Sequence, residues 1–389
     1  MRQVLKKGTH SFCPECKDKV PAIVLIENSS VVMEKNCPKH GITTTIIEKD
    51  PELYLNLYHK TVDESEISSM DKCLIIPVEY RCNLNCIFCF LPHRTKPNIS
   101  LEDVKKIISE FKGSRIVLSG GEPTLRKDLC EIVRMVKNSG KECHLATNGL
   151  KLADRSYVEK LRDAGVDKIT LSLYSADKKI EEAICGKDVL EQKLKAIRTV
   201  QDVSNLRIFI SMTVVPGLNE TEVKNIFYLA IKNRIKFITI RAVARLGSYE
   251  QHDKYYFSEL LDCVGKQLNI QKNKFLAVRQ ERCTPYFIYV SAVAVDGHDG
   301  IFLHNKSPLS LLKVMQKYFG EVGILKAFPM LFKILKGGEI FHNIGVRIAS
   351  WPDRYDIDFD ETLYAKYQHV YMGTENKDFF ESIILNEGL

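Results

Sequence analysis

Several things are absent from this chain of 389 residues. It has no run of about 18 or more uncharged apolar residues, the length a membrane-crossing helix needs, so no transmembrane segment is expected. Its opening residues, Met1-Arg-Gln-Val-Leu-Lys-Lys-Gly8, lack the apolar core of a secretory signal, which points to a cytoplasmic protein. A large excess of one charge is missing too. The formal net charge of +7 suits an anionic substrate, nucleic acid or an acidic membrane surface, and selects none of them. Finally, no cysteine follows Cys283, although the chain carries twelve. In an unexported protein these are better read as metal ligands and free thiols than as a disulfide framework. What is present, 45% hydrophobic and 27% charged residues, describes an ordinary globular protein with room for a catalytic domain and one or two appendages.

The first cysteines form a recognisable pattern. Cys13-Pro-Glu-Cys16 is followed by Cys37-Pro-Lys-His40-Gly41, with a strand-like alternating run from Val20 to Met33 between them. A C-x2-C turn paired with a C-x2-H turn is the spacing of a tetrahedral Cys3His site, each knuckle tightened by proline or glycine. Zinc is the default metal, and a mononuclear iron suits the same donors. With little apolar sequence around it, the knuckle is expected to draw much of its folding energy from the metal and to act as a structural clip.

After an acidic, polar stretch from Asp50 to Asp71, a repeating pattern begins. Strands are expected at 72–78, 115–119, 142–146, 168–173, 207–215 and 237–243, with helices at 101–111, 129–139, 156–164, 188–203 and 220–233. The helices carry apolar residues at three-to-four spacing, and the strands are short and β-branched. Such alternation implies parallel strands with right-handed crossovers, in a β/α barrel or an open doubly wound sheet. Six strands would make a partial (β/α)6 barrel open on one side, with ligands at the C-terminal strand ends. The expected divisions are a metal-binding knuckle over 1–50, a linker over 51–71, the barrel over 72–262, and an α+β accessory or substrate region over 263–389.

Each strand delivers a distinctive group just past its end. The first delivers Cys82, Cys86 and Cys89 as C-x3-C-x2-C, with Phe88 before the last cysteine. Iron–sulfur clusters normally take four thiolates, so three close cysteines with no fourth nearby would leave one iron of a [4Fe-4S] cluster open. The second delivers Gly120-Gly121-Glu122-Pro123, whose paired glycines would let the backbone approach a ligand and grip an ammonium or carboxylate. Thr147-Asn148-Gly149 and Ser172-Leu-Tyr174-Ser175 offer small polar groups suited to ribose hydroxyls, Val214-Val-Pro216-Gly217-Leu-Asn219 follows, and the sixth strand brings Arg241.

Cys82, Cys86 and Cys89 with Phe88, followed one β/α unit later by Gly120-Gly121-Glu122-Pro123, closely resemble the radical S-adenosylmethionine (radical SAM) superfamily over about Lys72 to Val243. The resemblance implies that the three cysteines hold a [4Fe-4S] cluster whose free iron chelates S-adenosylmethionine. It implies too that Gly120, Gly121 and Glu122 line the methionyl amino group, and that Ser172 and Arg241 face ribose and carboxylate. The cofactor would be cleaved to a 5′-deoxyadenosyl radical that takes hydrogen from a C–H bond, with a low-potential donor such as ferredoxin or flavodoxin as partner.

The knuckle placed ahead of the barrel is similar to the group containing archaeal tetraether lipid synthase and dihydro-hydroxymethylpterin dimethyltransferase. Pro352-Asp-Arg-Tyr-Asp-Ile-Asp358 resembles that group's tail. Its C-terminal auxiliary-cluster cysteines are not matched: Tyr364-Ala-Lys-Tyr367-Gln-His369 stands in their place, so a single cluster is expected. Pro308 to Gly338 reads as two apolar helices carrying Lys313, Lys317, Lys326, Lys333 and Lys336 against Glu321 alone. These could pack on the barrel's open side, or lie peripherally in an anionic membrane interface, and as a lid over a long apolar substrate they could do both. The expected substrate is thus a small molecule or lipid: a lipid, isoprenoid or pterin-like compound. The alternative is a maturase acting on a peptide or protein, although the cysteine-bearing C-terminal domain common in such enzymes is missing. A non-catalytic RNA- or partner-binding role is disfavoured, because the knuckle lacks clustered Arg and Lys with interleaved aromatics, and nucleic acid is not an expected partner.

Overall fold

A computed structural model describes residues 2–16, 18–58, 73–89, 91, 97–203, 206–245, 247–249, 252–268, 276–281, 284–295, 301–303 and 341–350. Cys283, most of the expected linker, the basic stretch 308–338, and the segments 352–358 and 364–369 lie outside the described residues.

The chain opens with a four-stranded antiparallel sheet, β1 (Gln3–Phe12), β2 (Lys19–Glu27), β3 (Ser30–Cys37) and β4 (Gly41–Glu48), in sequential order. The run from Val20 to Met33 is therefore two strands and not one. Asn28 and Ser29 both adopt positive φ, 49° and 60°, the backbone of the tight turns that match hairpin twist. The same inward periodicity continues on both strands, so the turn leaves little mark on the hydropathy pattern.

This sheet is not held by metal alone. Ala22, Val24, Val31 and Met33 share one apolar core with Tyr54 of α1 (Pro51–Tyr58) and with the barrel. At the junction the carboxylate of Glu48 is fully buried. Burial pushes it up, and it accepts the Ser258 hydroxyl and the Lys49 amide, the latter at 2.7 Å. Lys49 pairs with Glu259 at 2.7 Å, and Lys254 donates to the Ile46 carbonyl at 3.1 Å.

The repeating part follows: β5 (Cys73–Glu79), α2 (Leu101–Glu110), β6 (Arg115–Gly120), α3 (Leu129–Asn138), β7 (Glu142–Thr147), α4 (Arg155–Ala164) and β8 (Lys168–Ser172). Next come α5 (Lys178–Cys185), α6 (Leu190–Asp202), β9 (Arg207–Val214), α7 (Glu222–Lys232), β10 (Phe237–Ala242) and α8 (Phe257–Leu268). Strands β5 to β10 are parallel neighbours in sequential order, the six-stranded partial barrel. Ser100 starts α2 by accepting the Asp103 amide at 3.1 Å, while Asp154 and Asp177 cap α4 and α5 in the same way.

Two helices escape the sequence pattern. Helix α5 is short, and its apolar positions are hidden among Lys178, Lys179, Glu181 and Glu182. Helix α8 crosses the expected domain division at 262/263 and packs Leu260, Leu261, Val264 and Leu268 into the barrel core.

Beyond β10 the sheet continues. The chain makes β11 (Leu276–Glu281), β12 (Thr284–Val295), β13 (Ile301–Leu303) and β14 (Phe341–Ser350), and β14 pairs parallel to β10, then antiparallel to β12. These C-terminal strands extend the barrel sheet and cover the edge that β10 would otherwise leave unpaired.

The two faces of the sheet differ. Ile116, Leu118, Cys143, Leu145, Ile169, Leu171, Ile210, Ile238 and Ile240 are fully buried and share one apolar core with the helices. Of the alternating positions, Ser119, Thr170, Ser172, Thr213 and Arg241 are half-buried, while His144, Ser211 and Thr239 are buried polar groups. Period-two alternation thus gives a dry helix-facing side and a polar, accessible inner side.

Ser258→Ala removes a donor from the buried Glu48 carboxylate and is expected to lower stability by about 1–3 kcal/mol, the usual cost of an unmet buried group. Urea unfolding of wild type and variant measures it.

Candidate functional site

The loop carrying Cys82, Cys86 and Cys89 leaves the C-terminal end of β5, and all three cysteines are half-buried. Its root is fixed first. Arg126, itself buried, donates to the Val78 carbonyl at 2.6 Å and to the Ile99 carbonyl at 2.8 Å, and pairs with Asp128 at 2.7 Å. Glu79 is fully buried and accepts from the Arg81 amide at 2.9 Å and its guanidinium at 2.7 Å. Burial alone would push this carboxyl up, but Arg81 outweighs it and holds Glu79 below the usual range.

The paired glycines lie against this root. A Cβ on Gly120, whose φ is +139°, would sit 2.1 Å from the Glu79 carbonyl oxygen; one on Gly121 would sit 2.4 Å and 2.6 Å from those of Tyr80 and Arg81. The amides of Gly121 and Glu122 are spent there as well: Gly121 donates to Glu79 at 2.7 Å and Glu122 to Arg81 at 2.8 Å. The close approach expected of these glycines toward a ligand is thus made, for these two amides, toward the chain's own loop.

Glu122 is also turned inward. Its fully buried carboxylate accepts the Thr124 amide and hydroxyl at 3.0 and 2.6 Å, the Thr147 hydroxyl at 2.6 Å and the Asn148 amide at 2.7 Å. Burial raises this carboxyl, and the four donors oppose the rise. The carboxylate therefore ties the end of β6 to the end of β7. Pro123 begins the short 3₁₀ turn Pro123–Leu125 beneath it. Asn148 extends the tie to the cysteine loop, donating to Asn83 Oδ1 at 2.7 Å, with its Nδ2 3.9 Å from the Cys82 sulfur.

Phe88 packs edge-on to Tyr174, ring centroids 5.0 Å apart. Ser172 pairs in register with Ser211 on β9, and its side chain hydrogen-bonds Tyr174. Arg241 reaches across from β10 and donates to the Ser211 hydroxyl. Ser172, Ser211 and Arg241 therefore meet on the polar face of the sheet. Ser211 was not foreseen, because it sits inside an apolar strand run where only the register reveals it. Asn219, in the loop after β9, holds that loop to its neighbour: it accepts the Val215 amide at 2.7 Å and donates to the Tyr174 carbonyl at 3.0 Å.

Helix α5 supplies what the sequence concealed. The loop amides of Asn85 and Ile87 donate to the carbonyls of Cys185 and Ile184, each at 3.0 Å. The expectation that no further cysteine lies near the three needs correcting in space: Cys185 packs against Cys86. On the other side, the Ser248 amide donates to the Cys89 carbonyl at 2.9 Å.

The second site is in the N-terminal sheet. The ligand atoms of Cys13, Cys16, Cys37 and His40 all lie within 4.8 Å of one another. Cys16 and Cys37 sulfurs are 3.7 Å apart, and His40 Nδ1 is 3.5 Å from the sulfurs of Cys13 and Cys37. Sulfurs at about 2.3 Å from a tetrahedral zinc are about 3.8 Å apart, so the donor set fits one such ion. Burial raises the Cys37 thiol, but the Lys39 and His40 amides outweigh it and hold it low. At Cys16 the Asp18 amide lowers the thiol, yet burial and the adjacent sulfurs push it up to about 11; a cation among the four reverses that crowding.

Comparison with known proteins agrees with this geometry. A family model described as the radical SAM superfamily matches residues 76–230, and one described as the HMPTM N-terminal zinc ribbon domain matches residues 5–49. A 7,8-dihydro-6-hydroxymethylpterin dimethyltransferase of Methanocaldococcus jannaschii is 30% identical over 258 residues, 59% of this chain and 51% of the relative. The chain thus spans about half the length of that relative. A probable GTP 3′,8-cyclase of Pyrococcus abyssi is 30% identical over 242 residues, 60% of this chain and 76% of the relative. Among solved structures, Streptococcus suis SuiB bound to precursor peptide SuiA aligns with a TM-score of 0.45 at 15% identity, covering 69% of this chain and 70% of that one.

Two outcomes follow from this geometry. Gly121→Ala is expected to cost about 1–3 kcal/mol through overpacking, and to displace the cysteine loop; thermal melting and the iron retained per chain measure both effects. Cys13→Ser should remove the metal of the N-terminal site, and in wild type that metal should bind more weakly as pH falls, since its thiols must lose protons to ligate. Elemental analysis of dialysed protein from mildly acid to neutral pH tests this.

Proposed function

The chain belongs to the radical SAM superfamily, and on that basis we propose that Cys82, Cys86 and Cys89 bind a [4Fe-4S] cluster whose remaining iron takes S-adenosylmethionine. The observation that carries this reading is the seating of the cysteine loop. It stands at the C-terminal end of β5, tied to the Gly121 and Glu122 amides on one side and to α5 on the other, at the end of the sheet's polar inner face.

Three thiolates are one short of the usual four, which suits a cluster with an exchangeable position. When bound, the cluster and S-adenosylmethionine supply a 5′-deoxyadenosyl radical that removes hydrogen from a C–H bond. The protein's own part is binding, orientation and exclusion of water. Arg241 is a counter-charge for a carboxylate on the inner face, and the hydroxyls of Ser172 and Ser211 beside it suit ribose. Gly120, Gly121, Glu122, Pro123, Thr147 and Asn148 build the wall next to the loop, and Phe88 packs that loop onto Tyr174. The N-terminal site holds one zinc or iron as a structural clip.

For substrate we propose a pterin-like small molecule. Support comes from the names of the two relatives, one concerning a dihydropterin and the other GTP, both fused bicycles built on a pyrimidine ring. A lipid or isoprenoid substrate has its support in residues 308–338 of the sequence alone.

Anaerobic reconstitution of the full chain tests the reading. One cluster per chain is expected, with 5′-deoxyadenosine and methionine formed from S-adenosylmethionine under reduction. Alanine at Cys82, Cys86 or Cys89 should abolish both. A reduced dihydropterin should speed 5′-deoxyadenosine release and, when deuterated, pass deuterium into it. Retained turnover in the alanine variants would sink the proposal.

A further inference from the structure

The sequence marks nothing of interest between Lys178 and Lys193, yet this stretch builds the floor beneath Cys86. The amides of Asn85 and Ile87, the residues on either side of Cys86, are both bonded to the last carbonyls of α5. That docking brings the side chains of Cys86 and Cys185 together in one small buried cluster with Leu84, Tyr174 and Ile184. The Cys185 side chain is in hydrogen-bond contact with that of Cys86.

Behind Cys185 lies an ion pair with no exposure at all. Lys193 Nζ is 2.6 Å from Glu181 Oε1 and 3.4 Å from the Cys185 sulfur, and stands 5.0 Å over the ring of Tyr174. The other oxygen of Glu181 accepts the amides of Tyr174 and Ser175 at 3.0 and 2.8 Å. Glu181 thus already takes three donors at normal lengths. The single hydrogen of the Cys185 thiol thus has two acceptors within reach, Glu181 Oε1 at 3.4 Å and the Cys86 sulfur. A buried ion pair adds little net stability over apolar residues of similar size, so stability alone does not account for this one. It fixes Cys185, an S–H donor, beside one of the three thiols of the loop.

Resting on the reading that Cys86 is a cluster ligand, we infer that Cys185 is a positioning residue for the cluster. Its thiol donates to the Cys86 sulfur and raises the cluster's reduction potential. Hydrogen bonds to cluster sulfurs and local charge are among the factors that set that potential. A donor to a ligand sulfur stabilises the extra negative charge of the reduced state.

The test is an EPR-monitored potentiometric titration of the reconstituted full chain, with cluster content measured alongside. Cys185→Ala should keep the cluster and move its midpoint potential to more negative values. Cys185→Ser, which restores an O–H donor, should return the potential toward wild type. A wild-type potential in Cys185→Ala, or a serine variant displaced as far as alanine, overturns the inference. Should Cys185→Ala hold no cluster, Cys185→Val, which keeps the volume and lacks the donor, decides on the same readout. Failure of the underlying reading looks different: a full cluster would then persist in Cys86→Ala.

Discussion

The structure depends on two backbone hydrogen bonds, from Gly121 to Glu79 and from Glu122 to Arg81. They lay the end of β6 against the first residues of the cysteine loop, so closely that neither glycine has room for a Cβ. Everything that follows in the loop is registered from that contact. Had either position carried a side chain, the loop would have to lift from the sheet, taking Cys82, Cys86 and Cys89 with it. The radical chemistry proposed for this loop would need its reacting centre placed to within a fraction of an ångström. Backbone bonded directly to backbone is a stiffer way to secure that placement than contact through side chains with rotamers of their own.

A second regularity runs along the strand ends. Loops leaving a parallel sheet carry amides that the ladder no longer satisfies, and leaving them unpaired away from water is costly. Here buried acceptors meet them one after another. Glu79 takes Arg81 after β5, Glu122 joins Thr124 to Asn148 after β6 and β7, Glu181 and Glu222 together hold residues 174 to 177 after β8, and Asn219 closes the loop after β9. Each carboxylate can serve several donors at once, which is why these buried anions persist. The consequence for function is a rim of loops held rigid from below, leaving the half-buried serine, threonine and arginine side chains of the inner face as its adaptable part.

How much of this was legible follows from which forces are local. The six strands and their helices could be read because β-branched runs alternate with three-to-four apolar spacing, a signal carried by neighbours in the chain. The cysteine loop and the glycine motif could be read because their residues are contiguous. Helix α5 could not: it is two turns long, charged on its outer face, and made helical by Asp177 at one end and Gly186 at the other. The hairpin in the N-terminal sheet was hidden for a related reason, its turn residues Asn28 and Ser29 interrupting the alternation too briefly to show. Ser211 is a polar residue in an apolar strand, and only pairing with β8 and β10 gives it a place beside Ser172 and Arg241.

By itself the sequence determined the donor sets and the strand order: three thiols in one loop, four donors at knuckle spacing, and a parallel β/α order that sends every loop to one rim. These are properties of short segments, fixed by residue type and spacing. The tertiary structure decided what those segments touch. It spent the Gly121 and Glu122 amides on the loop, turned the Glu122 carboxylate inward as a tie between strands, and packed the N-terminal sheet into the barrel core. It also set Cys185, Lys193 and Glu181 behind Cys86. Such contacts join residues far apart in the chain, and they come from burial, register and the need to pair every polar group, which no local pattern records.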